Sequence, residues 1–467
     1  MKSGGNKDMP NTLIQSDVTL EPFDSIIRKF KSGEYIVSVY GLGHVGAPIA
    51  SAWLRAGVTV IGIDKSAKVL ENTRKGMTHI PEPMVNETFT NGLNNNKLLV
   101  YDDPIQASHN SKLKMICVPV LIRKNKADLG AVREVALAIG SGLKRNDVVS
   151  IHPSVPPGTT EKFLIPLLEK SSGMRAATDF FVIYNPERIY EGRAIFDIEE
   201  AHPGIVSSND DYSLDLAEKL FGLIYKKGIV RILGIKTAEA EKLFEGVYRD
   251  VNIALANELA KFSERLNIDF WEAKKAANSQ NFCHIHDPGI GVGGACIPIY
   301  PQFILDVATR NKINCRITKT ARTINNDMPS YSLNNALKML PRKVIRKSKI
   351  TILGLAFRGG VSDTRLSPTY DILKELTRLK IKDVIVHDPL VKEDSLISKF
   401  KNVELINNID YAVTNRDLII LATNHQEYLR LNTSVIGQTP IYDGRGYLNP
   451  DNFKKNLYRG IGRPIQP

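Results

Sequence analysis

One cysteine stands apart by its neighbours. Gly291-Val-Gly293-Gly294-Ala-Cys296-Ile-Pro298 puts three glycines just ahead of a thiol. Such a run lets backbone approach a ligand and leaves the sulfur exposed beside a predicted helix start. There, unpaired N–H groups stabilise a thiolate or an oxyanion. Taken alone, the segment reads equally well as a structural turn. The other cysteines, Cys117, Cys283 and Cys315, lie in apolar or undistinguished contexts and are expected in the core. No two of the four form a C-x-x-C pair, so neither a zinc knuckle nor a redox dithiol is indicated. Four free thiols fit a reducing compartment.

A second constellation is Gly41-Leu-Gly43-His44-Val45-Gly46, with Asp64 eighteen residues further on. Gly41 permits the tight turn, Gly43 lets backbone approach a pyrophosphate, and Gly46 allows close helix–strand packing. The helix N-terminus favours the phosphate charge. Asp64 ends the next strand, where a carboxylate accepts hydrogen bonds from ribose hydroxyls and repels a 2′-phosphate. NAD is therefore expected over NADP, a preference that the adjacent Lys65 weakens. Ser154-Val-Pro-Pro-Gly158-Thr159-Thr160 follows another predicted strand, at the sheet edge where such folds bind ligands. Asn185-Pro186-Glu187-Arg188, continuing to Glu191-Gly192-Arg193, would sit at the same edge. Each of these two segments, in isolation, is more often a turn than a site. Lys242 lies in a helical stretch near Asn252, Asn257 and Glu258, and a solvated face is the plain alternative for it.

The elements that must position these residues follow from periodicity. YIVSVYGLGHVG at 35–46, a helical pattern from Ala47 to Ala56 and VTVIGID at 58–64 form a βαβ unit. Strands are predicted at Lys114–Val118, Val148–His152 and Phe180–Tyr184, with helical patterns between them, so a parallel, doubly wound sheet is expected. From Thr237 to about Leu266 no proline interrupts apolar residues at three- and four-residue steps: Leu243, Val247, Val251, Ala254, Leu255, Leu259 and Phe262. This is a long helix, too long to bury its faces within one small domain. Tyr300–Arg310 is a second helix. At Lys349 the first theme returns: KITILGLAFRGG, a helix at Thr369–Leu379, VIVHDP at 384–389, then strands at Asp417–Ala422 and Thr439–Asp443. The expected fold is α/β: two Rossmann-like domains joined by a helical middle domain. The boundaries read 1–34 for an N-terminal extension, 35–234, 235–335 and 336–467. For 1–34, disorder or a cap on the fold are both open.

Composition narrows the class. The 467 residues are 43% hydrophobic and 24% charged, enough for several cores. The net charge of +12 is spread along the chain with short clusters such as Arg342-Lys343 to Lys347, and no nucleic-acid-binding motif accompanies it. A basic solvated surface is expected, without a nucleic-acid partner. No apolar stretch approaches the roughly 20 residues of a membrane span, and Met1 to about Ser32 lacks a signal peptide's apolar core. A cytoplasmic protein without a membrane partner is expected.

Together and in order, these pieces resemble the UDP-glucose/GDP-mannose dehydrogenase family over nearly the whole chain, Tyr35 to Leu448. GLAFRGGVSDTRLSP at 354–368, Ala321-Arg322-Thr323-Ile324-Asn325 and Asp443-Gly444-Arg445 add to the likeness. PGIGVGGACIP and NPERIYEGRA look closer to members acting on UDP-N-acetylhexosamines than on UDP-glucose. UDP-N-acetyl-D-mannosamine is preferred, with UDP-N-acetylglucosamine next. The resemblance implies NAD as cofactor, no metal, and a four-electron oxidation of the sugar's C6 hydroxymethyl. In that scheme the Cys296 thiolate captures the aldehyde as a thiohemiacetal, a second oxidation leaves a thioester, and water releases the uronate. Glu187 matches the family's carboxylate, acting through water as general base. Lys242 matches its lysine, stabilising alkoxide and oxyanion charge. The resemblance further places Gly41, Gly43, His44, Val45, Gly46, Asp64, Lys65, Ser154 and Thr159 at the cofactor. Arg188, Arg193, Gly291, Gly293 and Gly294 fall at the sugar, and Arg358, Arg365 and Arg445 at the UDP diphosphate. A homodimer through the long helix is expected.

The chain also departs from the pattern. Many relatives have Thr where Val120 stands, Asn four residues after the lysine where this chain has Gly246, and Arg upstream of the glycines where it has Gln280-Asn-Phe-Cys283. Four residues after the cysteine an Asp is common, yet here it is Tyr300, and a phenol is a poor base at neutral pH. Arg358 replaces the usual Lys and keeps the charge. Two rivals stay open: a single-step hydroxyacid dehydrogenase like the 6-phosphogluconate dehydrogenase group, which needs neither Cys296 nor residues 349–467, and a non-catalytic binder of NAD and sugar nucleotides.

Overall fold

A computed structural model describes residues 20–123, 126–453 and 457–464. The chain divides into two compact units. One holds residues 20–119, Gly130–Pro153 and Gly158–Ala238; the other holds Val120–Leu129, Ser154–Pro157 and residues from Glu239 onward.

The first unit opens with the helix Phe23–Ser32. Asp24 in its first turn and Lys29 and Lys31 in its last complement the helix dipole, and Gly33 ends it at φ +86°. Ile26 and Phe30 are buried, and the Phe30 ring lies 5.6 Å from Tyr35 and 6.5 Å from Trp53. Burying a phenylalanine contributes about 1.5–3 kcal/mol. Residues 23–32 therefore cap the first core, while 1–19 lie outside the described residues.

The strands of this unit begin with β1 (Val37–Tyr40), β2 (Val60–Ile63), β3 (Leu98–Val100) and β4 (Leu113–Ile116). A hairpin of β5 (Leu121–Arg123) and β6 (Lys126–Asp128) follows, and belongs to the second unit. The first sheet continues with β7 (Val148–Ile151), β8 (Phe181–Tyr184), β9 (Gly204–Ser208) and β10 (Ile229–Leu233). Its order is β10-β9-β8-β7-β4-β1-β2-β3, parallel except where β9 meets β8 antiparallel. Strands β1, β2, β4, β7 and β8 are buried throughout, as sheets covered on both faces require. The order from β3 to β8 is that of a dinucleotide-binding sheet, with its switch point between β1 and β4.

The second unit repeats the design. Strands β11 (Lys349–Leu353), β12 (Asp383–His387), β13 (Val403–Ile406), β14 (Leu418–Leu421), β15 (Ile441–Asp443) and β16 (Tyr458–Gly460) form a parallel sheet ordered β13-β12-β11-β14-β15-β16. Its helices include Ile235–Leu266, counted in this unit from Glu239 onward, Phe270–Ala277, Tyr300–Arg310 and Arg316–Leu337. The first of these has 32 residues and is about 48 Å long at 1.5 Å per residue. Leu333, Ala336 and Leu337 share a core with Ile350, Ile352, Leu418 and Ile420. The helical middle and the second sheet thus pack together, and the boundary read at 335/336 falls inside a helix. Among the described residues no helix is long and apolar enough to cross a membrane.

Candidate active site

The first glycine turn leaves β1 at Gly41, whose φ is +94° and whose N–H donates to Ile63 O of β2 (2.7 Å). A Cβ on Gly46 would lie 1.8 Å from Gly41 O, so only glycine lets the helix Gly46–Arg55 sit this close. At Gly43 a Cβ would find nothing within 4 Å, which leaves open space beside the backbone. Asp64 Oδ2 accepts the Leu42 N–H and Oδ1 accepts the Ser66 N–H, both at 2.9 Å. Each oxygen keeps a lone pair for a ribose hydroxyl. The open Gly43 and the anchored Asp64 together fit a dinucleotide. Lys65 is exposed next to it, Val45 caps the helix, and Thr159 is buried ahead of the helical turn Thr160–Leu164.

The loop after β8 is held by acids. Glu187 is buried and its Oε2 accepts the Ile189 N–H (2.8 Å). Buried Glu82 accepts N–H bonds from Gly192 (2.5 Å) and Ala194 (3.1 Å). Asp197 accepts the Tyr190 N–H (2.7 Å) and pairs with Arg193 (3.1 Å). His44 Nδ1 lies 3.6 Å from Glu191 Oε1, joining this loop to the glycine turn. Arg188 donates to Pro203 O (3.3 Å). Sequence reasoning missed Glu82, a distant carboxylate with no local signal. Burial, with the Glu187 carboxylate nearby, pushes the Cys117 thiol well above its usual range, so it is no nucleophile at neutral pH.

In the second unit Cys296 is exposed, whereas Cys283 and Cys315 are half-buried; the core placement expected of these two is corrected. Cys315 caps the helix Arg316–Leu337, which keeps it near solvent. The glycines before Cys296 pack closely against their own chain. A Cβ on Gly291 would meet Pro368 at 2.8 Å and Pro329 at 3.1 Å. One on Gly293 would meet Leu366 O at 2.7 Å, and one on Gly294 the Phe357 ring at 2.9 Å. The Gly294 N–H donates to Arg365 O (2.8 Å). On their Cβ side these glycines admit Pro329 and the 357–368 segment of their own chain. The Cys296 carbonyl accepts N–H bonds from Ile299 and Tyr300, both 3.0 Å, at the start of the helix Tyr300–Arg310.

Lys242 is buried along its stem and its Nζ lies 3.3 Å from Glu245, so a solvated face does not describe it. Farther along the same helix, Asp250 pairs with Arg322 (2.6 Å) and accepts from Asn325 (2.8 Å). Asn325 accepts from Asn257 (2.9 Å), and Asn257 accepts the Gly289 N–H (2.8 Å). This buried ladder fixes the start of the glycine loop. Burial raises Asp250 and lowers Arg322, opposing the charge on each.

The arginines expected at a diphosphate are partly committed. Arg445 Nε donates to Ala422 O (2.7 Å), and its two other nitrogens reach Gly291 O (3.5 Å) and Phe357 O (3.3 Å). Burial pulls it down to about 10 against the opposing pull of Asp443. It braces the glycine loop against the second sheet. Arg365 pairs with Asp363 (2.6 Å), while Arg358 donates to Gly359 O (3.1 Å) and lies 5.7 Å over the Phe357 ring. Ser154, expected at the cofactor, belongs to the second unit and donates to the Tyr300 hydroxyl (2.9 Å).

The second sheet copies the first glycine turn. Gly354, at φ +109°, donates to His387 O (2.7 Å) as Gly41 donates to Ile63 O. Asp388, at the end of β12, accepts the N–H groups of Leu355 (2.8 Å) and Ala356 (2.9 Å) as Asp64 accepts that of Leu42. Here, however, the carboxylate is fully buried and His425 Nε2 covers it at 3.1 Å. Burial works to raise Asp388, but His425 and the backbone N–H groups hold it below its usual range. The Gly360 N–H donates to His425 Nδ1 (3.3 Å), so this buried pair anchors the second turn. VIVHDP beside VIGID was the signal that could have found Asp388. Among the described residues, no group of three or more His, Cys, Asp or Glu could hold a metal ion.

Three domain families match the chain in succession: the NAD binding domain of the UDP-glucose/GDP-mannose dehydrogenase family over residues 35–225, its central domain over 236–327 and its UDP binding domain over 351–450. A UDP-N-acetyl-D-mannosamine dehydrogenase from Pyrococcus horikoshii is 34% identical over 435 residues, covering 91% of this chain and 99% of the relative. The chain belongs to the UDP-glucose/GDP-mannose dehydrogenase family. As a member of that family it uses NAD and has a UDP-sugar as its class of substrate. An NDP-N-acetyl-D-galactosaminuronic acid dehydrogenase from Ralstonia nicotianae is 30% identical, over 88% of this chain and 95% of the relative. The solved structure of a UDP-D-ManNAc dehydrogenase from Pyrococcus horikoshii superposes with a TM-score of 0.83 at 32% identity, over 92% of this chain and all of that one.

Proposed function

We propose that this chain oxidises the C6 hydroxymethyl of a UDP-N-acetylhexosamine, UDP-N-acetyl-D-mannosamine first, to the uronate through a covalent bond to Cys296. The observation that carries this reading is the contrast among thiols: Cys296 alone of the four is exposed, at a helix start behind a braced glycine loop. The names of the two relatives support an N-acetylated sugar. NAD, when bound, supplies the hydride acceptor. Cys296 adds to the aldehyde carbon and retains it as a thiohemiacetal, so that no free aldehyde escapes between oxidations. Lys242 stabilises the developing oxyanion, and Glu187, through water, takes the hydroxyl proton. Asp64 binds the adenosine ribose, and Thr159 lies at the same cofactor. Arg358, with Arg188 and Arg193, supplies cationic contacts to UDP and sugar. The protein acts in the cytoplasm as a homodimer joined along the helix Ile235–Leu266.

An NADH-release assay across UDP-N-acetylmannosamine, UDP-N-acetylglucosamine and UDP-glucose tests this. Two NADH per sugar are expected, fastest with the first, and Cys296→Ser should give no uronate by mass spectrometry. One NADH per sugar would point to a single-step dehydrogenase and none to a binder; normal product from Cys296→Ser would end the covalent route.

A further inference from the structure

Gly246 and Tyr300, which replace the common Asn and Asp, touch each other. A Cβ on Gly246 would lie 2.4 Å from Tyr300 Cδ2 and 3.0 Å from its Cβ, so no side chain fits at 246 while this ring is present. Tyr300 is the first residue of its helix and is only 9% exposed. Its ring packs with Leu243, Ile299 and Phe303, and Val120 and Ile122 of the hairpin segment close over the cluster. Its hydroxyl is held by Ser154 at 2.9 Å. Its N–H donates to the Cys296 carbonyl at 3.0 Å. Lys242 stands one helical turn before Gly246, on the same face. A single side chain therefore connects the thiol's turn, the lysine's helix and the 154–157 segment, all within the second unit.

We propose that Tyr300 is the positioning residue of Cys296. Its ring, seated on the bare Cα of Gly246 and latched at its hydroxyl by Ser154, holds the Cys296–Tyr300 turn on the helix that carries Lys242. The proposal rests on Cys296 as nucleophile. Positions 246 and 300 consequently act as one unit: a larger residue at one demands a smaller residue at the other. This seat uses ring shape and the Ser154–Tyr300 hydrogen bond at the positions where many relatives carry an amide and a carboxylate.

The test reads Cys296 twice, by the rate of its alkylation with iodoacetamide, followed by peptide mass spectrometry, and by turnover. Gly246→Asn should lower kcat about 100-fold, the order expected for an ångström-scale misplacement, and change the alkylation rate. Gly246→Asn/Tyr300→Asp should restore both to within about tenfold of the parent. Tyr300→Phe and Ser154→Ala, which keep the packing, should lower kcat about three- to tenfold while KM for NAD and UDP-sugar stays within about twofold. A double variant no better than Gly246→Asn, or unchanged kcat in both Tyr300→Phe and Ser154→Ala, overturns the proposal. If Gly246→Asn does not fold, the two hydroxyl variants decide it. A parent protein inactive on every UDP-sugar would sink the functional reading instead, and the alkylation rates would still decide whether Tyr300 positions the thiol.

Discussion

Gly43 and Gly46 do different work within one turn, and substitution should separate them. A Cβ at Gly43 meets open space, so Gly43→Ala should keep the parent melting temperature to within about 2 °C. It should weaken NAD binding at least about tenfold by crowding the pyrophosphate. Gly46→Ala must push a helix off a carbonyl 1.8 Å away, and overpacking of this kind costs about 1–3 kcal/mol. That variant should melt several degrees lower, and calorimetry with NAD titration distinguishes the two. His152 supplies a pH prediction. Burial at the end of β7 lowers its pKa to about 3, whereas an unfolded histidine titrates near 6.5. Between these values the unfolded chain binds a proton that the native chain refuses, so this contribution is complete above pH 6.5 and is lost as pH falls toward 3. The slope is about 1.4 kcal/mol per pH unit. Urea unfolding at pH 7, 6 and 5 should show a steeper loss in the parent than in His152→Gln; equal slopes would remove His152 as the cause. The glycine turn was legible in the sequence because its residues are neighbours along the chain. The seats of Gly291, Gly293 and Gly294 were not, because Pro368, Phe357 and Leu366 reach them only through the fold.

The helix Ile235–Leu266 was readable as an element, but not the division of its faces. Leu243, Ala254, Ala256 and Ala260 are buried, whereas Phe244, Tyr248, Leu255, Phe262 and Leu266 are each 45–59% exposed. The exposed five repeat at four- and seven-residue steps, which puts them on a single helical stripe suited to pairing with another helix. Light scattering should therefore find a dimer for the parent and a folded monomer for Leu255→Glu/Phe262→Glu; a parent that is itself monomeric would dispose of this stripe as an interface. The helix Phe23–Ser32 was harder to read, since its amphipathic face matters only against Trp53 and Tyr35. The antiparallel step between β8 and β9 left no local mark either: strand direction depends on pairing, and each strand by itself is simply apolar.

At the scale of the whole molecule, six strands of the first sheet follow the order of the second and both sheets carry the same glycine turn, but they differ at the acidic residue that ends their second strands. Asp64 keeps partial access to solvent, while Asp388 is sealed under His425. The family's NAD binding domain matches the chain over the first turn and its UDP binding domain over the second. This duplication was visible in the returning motif at Lys349, but the sealing was not, because His425 comes from a different strand's end. The way the chain is divided has a practical result. Val120–Leu129 and Ser154–Pro157 lodge in the second unit although both are encoded within the stretch that builds the first. No single cut in the gene can yield two self-sufficient halves. A fragment ending at 238 would carry Val120 and Ile122 without Leu243, Ile299 and Phe303 to cover them, inviting aggregation. Chimeras that exchange halves between relatives must leave these two inserts with the recipient, so recombination in this fold has to trade three pieces at once.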